Sequence, residues 1–437
     1  MKILYISQAE LPSSSAYSIH VMKMCQAFAN QGHDVRLIVP KGKNRHQIAV
    51  EDIYAFYGVR KCFKVEYVPW PKVGKAGRLW SWEVIKFALN YNADLIYTRY
   101  LPAALFAAEA GFQVIYEEHQ LKKTYYYKLF KFAPRRAFWW STYLRPFFLY
   151  YQARFLFSIS KSYKNRLKSL EDYKELIKNR GFAKEILLIK RLARHHRLIL
   201  FVVISHALER DISKLLPALA NKILVAPDGA DIPRKENLHR INIDKTKGKL
   251  QVGYCGHLYP GKGMEIIEEL LPLCPWACFH IVGGTEREIR KWRKKLRRHK
   301  NIIFYGHVQP SHTSAYIMHF DVCLLPNQPH VLTYANKKNV DIGAYTSPLK
   351  MFEYMALGKP IVASDLPVLR EILKHEYNAL LCPHNNALIW SNTLQRLLND
   401  PKLRMDLGRQ ALADFINKYT WDSRAKRILQ GIFNKGL

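Results

Sequence analysis

The sequence predicts an α/β chain with two doubly wound parallel sheets in series, and three stretches carry that expectation. Residues 2–40 alternate a short apolar strand, a helix and a second strand. Residues 250–325 resume the same alternation after a polar gap. Residues 345–371, YTSPLKMFEYMALGKPIVASDLPVLRE, read as helix, glycine stop and apolar strand. Strands interleaved with helices of this length imply parallel sheets, whose ligands sit at the carboxyl ends of the strands. At 437 residues, with 49% hydrophobic and 13% aromatic side chains, the chain is long and apolar enough for two or three cores.

In order, Lys2 to Ser7 forms the first strand, and the polar loop SQAELPSSSAYS leads into a helix from about Ser18 to Asn30. Gln31, Gly32 and His33 end that helix, and Asp34 to Pro40 is the second strand. His20, near the helix start, is a candidate for the ligand edge, weighed against a solvated or capping role. VEYVPWP and ADLIYTRY supply two more strands. QVIYEEH puts Val114 to Tyr116 in a strand with Glu117, Glu118 and His119 just past its end. LILFVVIS is a buried strand, Ser205 caps the helix that follows, and ILVAPDGADI is a strand running into a Pro-Asp-Gly turn. Residues 233–249 form a polar linker. The second series is LQVGYCG, HLYPGKGMEIIEELLPL, CFHIVGG, NIIFYGHV and FDVCLLP, with Lys262 opening a helix at the carboxyl end of its first strand, a phosphate position.

In the stretch at 345–371, Ser347 is the expected N-cap and Pro348 the first helical residue. Leu349, Phe352, Met355 and Ala356 share one face, and Gly358 supplies a left-handed stop before the strand Pro360 to Ala363. Lys350 and Glu353 lie three apart on another side. A cation beside unpaired helix-start N–H groups, with a carboxylate one turn on, suits a nucleotide: charge for a diphosphate, an acceptor for ribose hydroxyls.

These residues resemble the donor site of the retaining GT-B glycosyltransferases, in particular glycosyltransferase family 4. That family carries a Glu, seven residues and a second Glu before an AMAxGxPVVAS-like run. Glu353 matches the second Glu; Tyr345 stands in place of the first. Thr346, Ser347 and Pro348 replace a segment that is usually glycine-rich. GHLYPGKGMEII resembles the family's GRLxxxKGxxxLI, with His257 where Arg is usual, and PDGAD resembles its PNGxD turn, with Asp228 where Asn is usual. SSSAYSIHVMKMCQAFANQGHDVRLIV resembles the family's opening segment, Gly283 and Gly284 its IVGxG turn, and YTWDSRAKRILQGIFN its closing helix.

The resemblance implies two Rossmann-like domains facing a cleft: residues 1–240 on the acceptor side, 241–415 binding the nucleotide-sugar, and 416–437 as a helix crossing back to the first domain. It also implies site residues. His119, Lys262 and Glu353 would act on the transferred sugar and departing diphosphate. Gly256, His257, Lys262, Ser347, Leu349, Lys350 and Glu353 would surround the donor. The implied activity is transfer from a nucleotide-diphosphate sugar, a UDP-sugar by expectation, with retention and front-face departure. No DxD triad occurs, so neither a metal nor another cofactor is expected. A nucleotide-sugar epimerase of the same fold and a degenerate, non-catalytic binding protein are the alternatives.

Composition adds a partner. The formal charge is +33 and the pI about 9.8, which points to a polyanion. Residues 121–200 hold 20 Lys and Arg against 4 acidic residues, interleaved with runs such as RRAFWWSTYLRPFFLYY. Cations alternating with aromatic rings suit an anionic membrane face, and Arg145 and Arg154 interrupt any charge-free span of about 18 residues. No nucleic-acid module accompanies the patch, so nucleic acid is not the expected partner. A membrane-associated glycan or glycolipid acceptor is. Seven scattered cysteines, mostly in apolar runs, read as reduced core residues, and MKILYIS is too short an apolar run for a signal peptide, so the expected place is the cytosol, on the inner membrane face. The basic helix EREIRKWRKKLRRHK reads as a solvated face.

Overall fold

Strands buried on both faces must be apolar throughout, and here they are. In LILFVV (β6, Leu198–Val203) and ACFHIV (β9, Ala277–Val282) every residue is buried. The computed structural model describes residues 1–41, 50–71, 76–121, 180–233, 241, 243, 248–333 and 340–433. Residues 1–120 and 192–437 form one compact unit. The second unit, 121–191, is described only at residue 121 and in the helix Arg180–Ala193. The basic aromatic segment expected to meet a membrane therefore falls largely outside the described residues, as does most of the linker at 233–249.

The first sheet is built from β1 (Lys2–Ile6), β2 (Asp34–Lys41), β3 (Lys64–Pro69), β4 (Leu95–Thr98), β5 (Gln113–Glu118), β6 and β7 (Ile223–Val225). Its order is β3-β2-β1-β4-β5-β6-β7, parallel at every pairing. The second contains β8 (Leu250–Cys255), β9, β10 (Ile302–Gly306), β11 (Val322–Leu325), β14 (Ile361–Ser364) and β15 (Leu380–Cys382), in the order β10-β9-β8-β11-β14-β15, again all parallel. Two short strands, β12 (Leu332–Thr333) and β13 (Val340–Asp341), make a separate antiparallel ribbon. Both sheets reverse direction of winding beside their first strand, and that switch point is where a crevice opens.

The last helix, Trp421–Phe433, belongs to the first sheet's core. Trp421, Ala425, Ile428, Leu429 and Ile432 recur on one helical face and pack with Ile3, Tyr5, Phe28 and Leu200. The chain end thus crosses back, as the sequence predicts.

Four local expectations are corrected. β5 runs on through Glu117 and Glu118, because pairing with Val202 and Val203 of β6 extends the strand to those residues. The helix at 349 begins at Leu349 with an extended Pro348 as cap residue, so Ser347 does not cap it; the Ser347 hydroxyl instead accepts from the Asp228 backbone N–H at 3.0 Å. Lys262 precedes its helix, Met264–Leu273, whose cap is the left-handed Gly263. Cys62 is exposed while the other six free cysteines are buried.

Candidate functional site

β5 delivers Glu117 to the carboxyl edge of the first sheet, where a carboxylate without partners would be costly to bury. Glu117 is 1% exposed, and four groups meet it. Its Oε1 accepts from Arg424 Nη2 at 2.8 Å and from His119 Nε2, and lies 3.2 Å from His20 Nε2; Tyr97 donates to Oε2. Burial pushes the carboxyl up, but Arg424, His20 and His119 together hold it well below the usual carboxylate range.

The partners come from separate elements. His20 sits on the helix Ala16–Asn30 and is 1% exposed; its Nδ1 donates to Asp228 Oδ1 at 2.9 Å. Its ring meets those of His119 and Trp421 edge-on, at centroid distances of 5.1 and 5.2 Å. Arg424 reaches in from the last helix, where its Nε donates to the Pro227 carbonyl at 3.0 Å. His119 is the group of the cluster that retains solvent contact. Burial and the nearby Arg99 guanidinium lower its pKa to about 4, so the ring is neutral. An ionised carboxylate only accepts, so the His119 proton is on Nε2 and its Nδ1 is left as an acceptor.

The ligating atoms of His20, Glu117, His119 and Asp228 all lie within 4.8 Å of one another, a separation a metal ion could bridge. The set is nonetheless ill suited to one. The lone pairs of Glu117 and Asp228 already accept from Arg424, His119 and His20, and a dication would sit against the Arg424 guanidinium. The cluster is a closed hydrogen-bonded ion network.

Across from it, the second sheet presents charges of the opposite kind, lacking partners. Lys350, on the helix Leu349–Ala356, is buried, its Nζ makes no hydrogen bond, and it stands 3.6 Å from the Tyr254 ring centroid. Burial, then the neighbouring Lys262, pulls its pKa well down. Lys262 is lowered by burial to about 8. Glu353 is raised by burial to about 7, against the pull of Lys23 and Lys350. His257 is lowered by burial and Lys262 to about 4 and stacks on Tyr259 at 4.7 Å, so it brings no charge. Leu349 is half-buried against the first sheet's core.

Glycines make this end possible. Gly256 follows β8 with φ +136°, and a Cβ there would lie 3.0 Å from Lys350 Nζ. A Cβ on Gly283, at φ +115°, would fall on the Gly256 carbonyl oxygen. Only residues without a side chain let these two strand-end turns and the lysine cross.

Of the sequence-predicted residues, Gly256, His257, Lys262, Lys350 and Glu353 are gathered at the second sheet, and His119 belongs to the first-sheet network. Ser347 is engaged by Asp228, and Tyr345, in the position of the family's first Glu, turns away to donate to Asp211 Oδ2 at 2.8 Å. Arg424 was not foreseen. Its signal was present: it lies three residues after Trp421 and one before Ala425, a lone cation on the face that packs into the core.

The profile of the family described as Glycosyl transferases group 1 matches residues 249–400, and that of Glycosyltransferase Family 4 matches residues 18–179. A phosphatidyl-myo-inositol mannosyltransferase of Mycobacterium leprae is 26% identical over 221 residues, covering 49% of this chain and 54% of that protein. The chain spans about half the length of the curated relatives it matches. Among solved structures, sucrose-phosphate synthase from Thermosynechococcus elongatus aligns with a TM-score of 0.66 and 17% identity over 98% of each chain. HepE from Anabaena in complex with UDP-glucose aligns with a TM-score of 0.61 and 15% identity, over 99% of this chain and 100% of that one.

Proposed function

Because the chain belongs to the GT-B glycosyltransferases of family 4, the glycosyl transferases group 1, we propose that it moves a sugar from a nucleotide-diphosphate sugar to a glycan or glycolipid acceptor, retaining the anomeric configuration without a metal. The observation that carries this reading is a pair of lysines, the buried Lys350 and the half-buried Lys262, set beside Glu353 at the start of the Leu349–Ala356 helix. A buried cation with no hydrogen-bond acceptor is held at a cost in stability, and the helix start adds unpaired N–H groups. A diphosphate satisfies all of them.

The chemistry follows from these groups. Negative charge grows on the diphosphate as the glycosidic bond breaks, and Lys262, Lys350 and the helix start stabilise it. Ionised Glu353 accepts from the ribose hydroxyls. Neutral His119 offers Nδ1 to a hydroxyl of the transferred sugar. Glu117 is bound on both oxygens and only 1% exposed, which counts against it as a nucleophile and favours front-face departure with the diphosphate taking the acceptor proton. The UDP-glucose of HepE supports a UDP-sugar donor, and the lipid in the mannosyltransferase's name supports an acceptor at the inner membrane face. Among the described residues no helix is long and apolar enough to cross a membrane, so attachment is peripheral in this reading.

A panel of nucleotide-sugars read by thermal shift, followed by transfer assays with the best binder, tests the proposal. The expected result is stabilisation by one diphosphate-sugar class, lost in Lys350→Met. Tyr345 leaves a second reading, a binding protein without turnover, because its hydroxyl is committed to Asp211 and not to the donor. Donor binding with no transfer and no donor conversion would establish that reading; conversion of the donor without acceptor would make the protein an epimerase.

A further inference from the structure

The crossing-back helix does more than join the domains: it places a guanidinium against the carboxylate that orients His119. Arg424 is 3% exposed and makes four contacts. Its Nε donates to the Ala226 and Pro227 carbonyls at 3.3 and 3.0 Å, Nη1 lies 3.2 Å from Met24 Sδ, and Nη2 donates to Glu117 Oε1 at 2.8 Å. The two carbonyls fix the guanidinium in the plane from which Nη2 meets the carboxylate. The same Glu117 oxygen accepts from His119 Nε2.

We propose that Arg424 is a positioning residue for sugar transfer: by keeping Glu117 an ionised acceptor it holds His119 in the neutral tautomer protonated on Nε2, with Nδ1 free to accept a sugar hydroxyl. The proposal rests on the role given to His119 above. Its physical basis is proton bookkeeping within a buried set. With Arg424 present, Glu117 has a fixed cation and needs no proton. Without it, a carboxylate 1% exposed hydrogen-bonds or faces only Tyr97 and two imidazoles, with Arg99 as the remaining cation near it but not bonded to it, and gains its missing positive charge as a proton. If that proton goes to Glu117, the carboxyl donates to His119 Nε2 and the ring proton moves to Nδ1. If it goes to His119, the imidazolium carries protons on both nitrogens. In both cases Nδ1 stops being an acceptor, and a sugar hydroxyl that donated to it meets an N–H instead.

Asp228 and His20 form a parallel arm of the network but do not substitute. The His20 Nδ1–Asp228 bond ties that ring to the β7 loop, and its Nε2 lies 3.2 Å from Glu117 without a directed hydrogen bond. Trp421, one turn before Arg424, packs edge-on to His20, so the helix that supplies the guanidinium also walls the network from water.

The test is nitrogen NMR of the full chain labelled at histidine, with His119 identified by its loss in His119→Asn, in wild type, Arg424→Met, Arg424→Gln, Arg424→Lys and Glu117→Gln. Donor affinity and transfer are measured on the same samples. Wild type should show one His119 ring nitrogen protonated and Nδ1 bare. Arg424→Met should protonate Nδ1 and lower kcat at least tenfold while the donor KM stays within about twofold, since the diphosphate contacts lie on the other sheet. Arg424→Lys keeps a cation and should restore the wild-type tautomer and part of kcat. Glu117→Gln keeps an oxygen for Arg424 and His119 to share and should retain the wild-type tautomer; Arg424→Gln, which can still donate to the two carbonyls but carries no charge, covers the case in which Arg424→Met does not fold, and should protonate Nδ1 and lower kcat in the same way. An unchanged His119 spectrum in folded Arg424→Met or Arg424→Gln overturns the proposal whatever activity does. A protonated Nδ1 with wild-type kcat overturns it as well. Absence of donor binding in wild type would instead end the transferase reading, leaving the spectra to decide whether Arg424 sets the tautomer.

Discussion

The two sheets bring charge to the crevice in opposite conditions. At the first, Glu117, His20, Asp228 and Arg424 are buried, His119 is partly so, and hydrogen bonds and close ion contacts link them. At the second, Lys350 is buried with the Tyr254 ring but no hydrogen-bond acceptor beside it, and Lys262 and Glu353 have pKa values displaced toward neutrality by burial. A closed network fixes the shape of a surface and needs no ligand. An open one is destabilising until an anion arrives, so its residues should respond to mutation with the opposite sign.

The largest effect should come from opening the closed network. Glu117→Leu removes the carboxylate and leaves Arg424 buried with no counter-ion, which costs about 3–5 kcal/mol. Urea denaturation should show that loss, and a change under about 1 kcal/mol would mean Arg424 is reached by water. At the open site Lys350→Met should leave the free protein as stable as wild type or more so, because a desolvated ammonium is replaced by an apolar chain of similar length, while transfer falls. Lys262→Ala and Glu353→Gln should each lower transfer at least tenfold with the fold intact, the loss of one charge-assisted contact being about 1.5–3 kcal/mol. Wild-type turnover in both would remove the donor from this corner.

A smaller effect separates packing from chemistry. Gly283→Ala puts a methyl 2.3 Å from the Gly256 carbonyl oxygen at a positive φ, so the backbone of the two turns must move apart. The expected cost is about 1–3 kcal/mol, with a rise in donor KM because Gly256 and Lys350 move with it. Loss of stability without a change in KM would show that the turns carry the fold and not the donor.

Much of this contrast was legible in the sequence, though unevenly. The second sheet's site is local in two pieces: Lys350 and Glu353 are three apart on one helix, Gly256 and Lys262 lie in one loop, and the resemblance to family 4 joins the two. The first sheet's network is not. Its members stand at 20, 97, 117, 119, 228 and 424, and parallel pairing with a chain end that crosses back unites them. Periodicity could mark Arg424 as a cation on an apolar face, but nothing local names its partner. Ser347 shows the same limit: as a local pattern it is an N-cap, and a backbone N–H from 119 residues away takes its hydroxyl instead. Glu117 and Glu118 were placed beyond their strand because a pair of glutamates reads as polar loop, whereas the pairing of β5 with β6 keeps them extended.

The smallest effect tests the open site alone, through pH. The pH dependence of kcat/KM for the donor reports groups of the free enzyme, and between pH 6 and 9 two at the first sheet are silent: His119 is lowered to about 4 by burial and Arg99, and Glu117 is held well below the usual range. His257, also lowered to about 4, is silent too. Glu353, raised by burial to about 7, is protonated below that pH and then meets the ribose with a donor in place of an acceptor, so affinity falls as pH drops through 7. Lys262, lowered by burial to about 8, loses its proton above that pH, so affinity falls again as pH rises through 8. The donor's kcat/KM should therefore peak between about 7 and 8, with changes of a few-fold per half unit on either side. Glu353→Gln should flatten the acid limb and leave the alkaline one. An acid limb that persists in that variant would assign it to a group other than Glu353 and take the ribose contact away from this helix.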